Sequence, residues 1–198
     1  MKILVVVDML EDFIGGRNET QKLTLLDETG KEFTKTYTVG ALSTEEARRI
    51  LPKIVKYVEK AKQNGYLIIF LQDTHSKNYL QTEEGKNLPV PHAIKPSRGW
   101  EIIDELKSYA HNSIVLEKPT FGSLELPNVI KKHCKEEIEE IEICGVCTGI
   151  CDISNALILK ASFPETPIKL QADLCACVTP ESHAAALETM KMCQINVC

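Results

Sequence analysis

The sequence predicts an α/β protein, a three-layer α/β/α arrangement around a mostly parallel sheet. Three observations carry this expectation. Short unbroken apolar runs recur along the chain, as expected of strands covered by helices on both faces. Amphipathic segments bounded by helix start and stop residues lie between them, and strand–helix alternation builds a parallel sheet. One interruption, at about 17–40, alternates apolar and polar residues with the period of an inserted β-hairpin.

Each element has a local reason. Residues 3–7 form the first apolar run, closed by Asp8. Ser43 and Glu46 have the spacing of a capping box that opens a short helix. Pro52 then restarts a longer helix to about Asn64, which Gly65 ends. A second strand is expected at 67–71, a helix at 100–110 and a strand at 113–116. A short helix near 127–133 leads to a strand at 138–144, a helix at about 148–162 and a strand at 168–171. Thr179-Pro180 starts the last helix, and residues 195–197 close the sheet. In the insert, residues 22–26 and 32–38 flank the turn Asp27-Glu28-Thr29-Gly30. Gly15 and Gly16 let the chain leave the core to reach it. The hairpin is expected to act as a lid or an oligomer contact.

At 198 residues, the chain is expected to form one domain, residues 1–198. With 43% apolar and 26% charged residues it is neither disordered nor a coiled coil. The formal net charge is −5 and no basic stripe is visible, which argues against a nucleic-acid partner. The acidic run at 136–142 reads as solvated surface. The first apolar run is too short for a signal peptide or a membrane span, so the expectation is a cytoplasmic protein that binds no membrane. Cysteines stand at 134, 144, 147, 151, 175, 177, 193 and 198, and in that setting they stay reduced. Cys144, Cys147 and Cys151 are spaced closely enough to raise the question of zinc, but Cys175 and Cys177 make a poor second pair. Neighbours one residue apart diverge on an extended strand, and structural zinc needs both pairs. Most of the eight read as small buried hydrophobes.

Ligands of parallel α/β sheets sit at the carboxyl ends of the strands, so the residues that follow each run matter most. Asp8 follows the first, Asp73 and His75 the second, Lys118 the third, and the glycine-containing turn at 145–151 the fourth. An acid, a cation and a thiol thus converge on one edge. Cys151 falls in the first turn of the helix opening near Thr148, where the helix dipole and a nearby lysine favour a thiolate. A carboxylate can take the thiol proton, and backbone N–H groups of the turn can hold an oxyanion. The competing reading of Cys151 is a buried cysteine at a helix start. The segment 73–92 lacks periodicity and carries Asp73, His75, Glu83, Glu84 and His92. Mixed carboxylate and imidazole ligands suit Zn²⁺, Mn²⁺ or Fe²⁺, and the competing reading is two unrelated histidines. His111, His133 and His183 read as structural or solvated.

The motifs DMLEDF (8–13), DTH (73–75), TEEGKNLPVPH (82–92), EKPTFGS (117–123) and GVCTGIC (145–151) together resemble those of the isochorismatase-like cysteine hydrolases, and within them the nicotinamidases. The resemblance spans nearly the whole chain except the hairpin, and it implies the Rossmann-like fold of that family. It makes Asp8 the general base, Lys118 its partner and Cys151 the nucleophile. It also implies a cis peptide joining Val146 to Cys147, which turns the backbone N–H groups of Cys147 and Cys151 into an oxyanion hole. The implied metal set is Asp73, His75 and His92 with an acidic residue between the histidines. Glu84, directly before Gly85-Lys86, is chosen over Glu83. In nicotinamidases the metal holds the pyridine nitrogen and orients the ring, so an intact ligand set points to a pyridine carboxamide. Phe13 resembles the aromatic that stacks on that ring, although a core phenylalanine is an equal reading. Trp100 reads as packing. Many members have an acidic residue where this chain has Gly149.

The resulting expectation is a metal-containing cysteine amidohydrolase of NAD salvage, holding zinc ahead of manganese or iron, that turns nicotinamide into nicotinate and ammonia through a thioester. Its partners are a small amide substrate and further copies of itself in a homo-oligomer. The alternatives are a hydrolase of another small amide, ureide or carbamoyl compound with the same triad, a silent ligand-binding module, and a redox thiol protein. Isochorismate cleavage fits less well, because that branch does not need the cysteine.

Overall fold

The computed structural model describes residues 1–16 and 18–198. Arg17, the first residue of the expected insert, lies outside the described residues. Six strands form one parallel sheet: β1 (Lys2–Val7), β4 (Leu67–Asp73), β5 (Ile114–Lys118), β6 (Glu140–Val146), β7 (Ile168–Ala176) and β8 (Asn196–Val197). Their order across the sheet is β5-β4-β1-β6-β7-β8. The order reverses beside β1, so the chain leaves a crevice at the carboxyl ends of β1 and β6, where doubly wound sheets bind ligands.

Side-chain alternation divides the core in two. Leu4 and Val6 of β1 face α2 (Glu45–Gln63) and α4 (Asp104–Ala110), together with Phe70, Ile54 and Leu106. Ile3, Val5 and Val7 face the other layer, made by α5 (Leu126–His133), α6 (Ile153–Ser162) and α7 (Pro180–Met192), together with Ile130, Leu159 and Met190. All of β6 is buried. Glu142 is thus not solvated surface but a buried carboxylate. Tyr57, Gln171 (2.7 Å) and Tyr66 (3.3 Å) donate hydrogen bonds to it, which offsets the cost of burying its charge. Glu140 pairs with Lys2 at 2.7 Å and with Lys169.

Several expected boundaries move. Helix α2 is continuous through Pro52. Its buried stripe of Ala47, Ile50, Ile54, Val58 and Ala61 packs on the sheet, and that burial outweighs the lost backbone hydrogen bond at the proline. Its cap is Thr44, which accepts from Ala47 N at 3.1 Å, rather than Ser43, whose hydroxyl takes a hydrogen bond from Arg48. Helix α4 begins at Asp104, not at Trp100. Residues 101–103 are instead tied to α1 (Glu11–Ile14) and the residues before it: Glu11 N donates to Glu101 O at 2.9 Å and Ile103 N to Met9 O at 2.9 Å. At Thr179 and Ser182 a reciprocal capping box opens α7.

The hairpin exists as β2 (Thr20–Leu26) and β3 (Glu32–Thr38), paired antiparallel from Thr20↔Thr38 to Leu26↔Glu32. Its apolar side, Leu23 and Leu25, packs on Tyr79 and Ile94, and Leu26 N donates to Lys77 O at 2.8 Å. It therefore braces the segment that follows β4 from behind. Among the described residues, none of the hairpin lines the central cavity, so the expected lid is a buttress. No helix is long and apolar enough to cross a membrane among the described residues.

Candidate active site

Asp8 directly follows β1 with φ of 50°, a left-handed conformation unusual for a non-glycine residue. It is held there by Asp8 N donating to Leu71 O (3.1 Å) and Asp8 O accepting from Leu10 N (2.8 Å). Strained backbone of this kind gathers at functional sites. The carboxylate is fully buried, accepts from Asp73 N at 2.9 Å and lies 2.8 Å from Lys118 Nζ. Lys118, the last residue of β5, is itself fully buried, 3.4 Å from Asp73 Oδ1 and 3.7 Å from Cys151 Sγ. Three separate strand ends and the turn after β6 therefore bring Asp8, Asp73, Lys118 and Cys151 together.

The turn after β6 needs its glycine. Gly145 has φ of 131°, and a Cβ there would stand 2.1 Å from Val7 O, so only glycine lets β6 lie this close to the end of β1. The Val146–Cys147 peptide is cis. Residues Thr148–Asp152 then form a π-helical turn before α6 begins at Ile153. Cys151 thus precedes the regular helix instead of occupying its first turn.

Electrostatics also differ from the expectation of a resting thiolate. Burial pushes the Cys151 thiol well up, Asp8 adds to this, and Lys118 only partly opposes it. Burial likewise raises Asp8, to about 6, against the pull of Lys118. Lys118 is held charged: burial acts against it, but Asp8, Cys151 and Asp73 outweigh that cost. At neutral pH the arrangement is a carboxylate–ammonium pair beside a neutral thiol. Such a set can move the thiol proton to the carboxylate when a substrate arrives.

The second cluster gathers Asp73, His75, Glu84 and His92, with one ligand atom of each within 4.8 Å of the others. Glu84 comes from α3 (Glu83–Asn87), a short helix capped by Thr82, and a 3₁₀ turn at Tyr79–Gln81 precedes it. The segment is thus not the irregular loop the sequence suggested. Glu83 points to solvent and lies 3.7 Å from Lys86. His75 Nε2 lies 3.1 Å from Asp73 Oδ2 and 3.6 Å from Glu84 Oε1, and His92 Nε2 lies 3.4 Å from Glu84 Oε1. His75 Nε2 is buried and makes no well-aligned hydrogen bond despite these distances. A buried ring nitrogen left without a partner among three other ligand atoms is what a shared cation would satisfy. His92 Nδ1 lies 2.8 Å from Val90 O. A backbone carbonyl there takes the ring N–H and leaves Nε2 free to ligate. The donor set therefore fits a divalent cation.

Proximity shapes the titration of this cluster. Burial acts against a charged His75, but Asp73 and Glu84 outweigh it and raise the ring to about 9. Burial pushes Glu84 up, and the two histidines overcome this to bring it down to about 2. For Asp73 burial again opposes, while His75 and Lys118 hold the carboxyl below its usual range.

Both clusters open onto one cavity of about 250 Å³, lined by Cys147, Cys151, Asp73, Glu84 and His92 and otherwise mainly by apolar side chains. That is slightly below the usual ~300–1,000 Å³ of small-molecule pockets. Phe13 stands in its wall with its ring centroid 5.4 Å from that of His92, and its inner side packs on the core. Trp100 donates its indole N–H to Thr74 Oγ1 at 2.9 Å and lies outside the cavity wall. All eight cysteines are free, and the one group of metal-type ligands among the described residues contains none of them.

Three residues of the site were not singled out in the sequence. Asp12 accepts from Gly40 N (3.1 Å) and Ala93 N (2.9 Å), clamping the end of the hairpin to the residue beside His92. Asn155 accepts from Ser123 N (2.9 Å) and donates to Phe121 O (3.0 Å) and Cys151 O (2.8 Å), tying the loop after β5 to the thiol-bearing turn. Its one cue was an amide in an otherwise apolar helix. Asp152 is fully buried with neither carboxylate oxygen hydrogen-bonded.

Known proteins share these features of fold. A pyrazinamidase of Pyrococcus horikoshii, solved in complex with zinc, superposes with a TM-score of 0.75 at 23% identity over 100% of this chain and 98% of its own. The nicotinamidase/pyrazinamidase PncA of Bacillus subtilis superposes with a TM-score of 0.76, also at 23% identity and the same coverage. A protein of Arabidopsis thaliana named a probable inactive nicotinamidase is 24% identical over 95% of this chain and 87% of its own. The family model described as the isochorismatase domain matches residues 2–198, which takes in every strand, both clusters and the cavity between them: the chain belongs to the isochorismatase domain family.

Proposed function

We propose that this chain is a metal-containing cysteine amidohydrolase that converts nicotinamide to nicotinate and ammonia. The observation that carries the reading is that the Asp8–Lys118–Cys151 group and the Asp73–His75–Glu84–His92 group face a single small, largely apolar cavity with Phe13 in its wall. Among the described residues, the lining includes two carboxylates and no lysine or arginine. The rest of the wall is mainly apolar, which suits a small neutral aromatic amide.

In this reading Asp8 takes the proton of Cys151, and Lys118 stabilises the ion pair that results. The thiolate attacks the carboxamide carbon while the N–H groups of Cys147 and Cys151 stabilise the oxyanion. Protonated Asp8 then gives its proton to the departing ammonia, leaving a thioester. Water, deprotonated by Asp8, adds to the thioester carbon and frees nicotinate and the Cys151 thiol. Asp73, His75, Glu84 and His92 would hold a divalent ion, zinc by analogy with the Pyrococcus protein. When bound, it supplies a Lewis-acid contact for the ring nitrogen. Phe13 packs on the ring and sets its tilt.

The test is ammonia release from nicotinamide, pyrazinamide, aliphatic amides and ureido compounds by zinc-loaded protein. Turnover of the pyridine and pyrazine amides supports the reading. Turnover of other amides alone moves the substrate but keeps the triad. Silence on all of them favours a catalytically silent ligand-binding protein; the Arabidopsis relative is itself named a probable inactive nicotinamidase.

A further inference from the structure

We infer that Cys147 and Cys177 form a modification site, a dithiol that a hydroperoxide converts to a disulfide in the cavity wall. In the parallel pairing of β6 and β7, Gly145 lies opposite Cys175 and Val146 opposite Ala176. Cys147 and Cys177 are the next residues on the two chains. Adjacent strands are ~4.8 Å apart, so the sheet delivers the two chains to Cys147 and Cys177 at a separation within the ~4.4–6.8 Å between Cα atoms that a disulfide spans.

The sulfur of Cys177 is turned the right way. It lies 3.2 Å from where a Cβ would stand on Gly149, so it abuts the turn that carries Cys147, and the absence of a side chain at 149 leaves it room. Both cysteines line the same cavity and both are free. Cys177 is also among the groups that push the Cys147 thiol up, as expected of neighbours.

The order of events follows from their surroundings. Cys177 stands three residues before the first residue of α7, and Ser182 Oγ lies 3.2 Å from its sulfur. Cys147 is held protonated, first by burial and then by Asp152. Cys177 therefore attacks the hydroperoxide first: an S–O bond forms, the O–O bond breaks, and the leaving alkoxide or hydroxide takes up the Cys177 thiol proton. Cys147 then attacks the sulfenic sulfur, forming the S–S bond and breaking S–O, and the released hydroxide takes the Cys147 proton as water. The pair loses two electrons and two protons, and the peroxide is reduced to an alcohol, or water, plus water. The bridge ties the Cys147 backbone to the end of β7 and closes space beside Cys151. The crosslink itself goes beyond the amidase reading, and only its effect on turnover rests on it.

The experiment is to treat the full-length reduced protein with hydrogen peroxide, alkylate the remaining thiols under denaturing conditions, digest, and assign sulfurs by fragmentation. A Cys147–Cys177 crosslink that dithiothreitol removes is expected. Turnover, if present, should fall about 10²-fold with oxidation and return on reduction, as when an oxyanion donor is lost. In Cys177→Ser and Cys177→Ala, each compared with its own untreated sample, the crosslink and the reversible loss should both disappear. Full alkylation of Cys147 and Cys177 after peroxide overturns the proposal. So does oxidation confined to Cys151, or to Cys193 and Cys198. The mass readout stands even if nicotinamide proves not to be a substrate.

Discussion

Lys118 Nζ lies 3.4 Å from Asp73 Oδ1, and Asp73 Oδ2 lies 3.1 Å from His75 Nε2. One buried carboxylate therefore links the thiol cluster to the metal-type cluster, and one buried ammonium balances Asp8 and Asp73 together. Lys118→Met should leave both carboxylates without that cation. The expected cost is about 3–5 kcal/mol of stability, read by urea unfolding, along with loss of turnover. Wild-type stability in the variant would contradict the charge balance described here.

Asp152 offers a test of burial without partners. Burial raises its carboxyl to about 8, and the nearby Cys175 thiol and Lys118 only partly oppose this. In the unfolded chain it titrates near the usual ~3.9. Between these values the folded state binds the extra proton, so this residue's contribution to stability falls as pH rises through the window, by at most about 1.4 kcal/mol per unit. Asp152→Asn should be stabilised relative to wild type at pH 8 more than at pH 5. Equal differences in unfolding free energy at the two pH values would show that Asp152 is ionised throughout.

Metal removal should act on the second cluster alone. Stripping with a chelator and reloading with zinc should raise Tm by about 5–10 °C at a hundredfold excess over Kd, while the count of titratable thiols stays the same. His92→Ala should bind less metal and show a smaller shift. Stoichiometric zinc that persists after loss of both His75 and His92 would place the ion elsewhere.

Asn155 holds two segments of the site. Asn155→Leu should strand Ser123 N and the carbonyls of Phe121 and Cys151, at about 1–3 kcal/mol for each group left unsatisfied. Unfolding measurements check the stability, and kcat should fall as the Cys151 turn loosens. An unchanged kcat would make Asn155 a packing residue only.

What the sequence made legible had a local cause. The unbroken apolar run at 3–7 marked β1 because that strand is buried on both faces. Asp8, Asp73, Lys118 and Cys151 were legible because they sit at strand ends or just beyond them, where runs stop. Glu84 and Glu83 could be separated only by the helical phase of α3, which aims one inward and the other to water. What stayed hidden depended on distant partners. Pro52 reads as a helix start until the sheet beneath α2 is known. Asp12, Asn155 and Glu142 look like ordinary polar residues until their hydrogen-bond partners, far away in sequence, are in place. The neutral state of the Cys151 thiol is likewise a product of burial, which spacing does not report.

The most direct test of the account is ammonia release from nicotinamide by zinc-loaded wild type and Cys151→Ala, with bound metal measured in both. The account predicts that the variant keeps its zinc and its fold and loses turnover by at least about 10⁴-fold. Turnover by the variant within tenfold of wild type would contradict a thioester mechanism at Cys151.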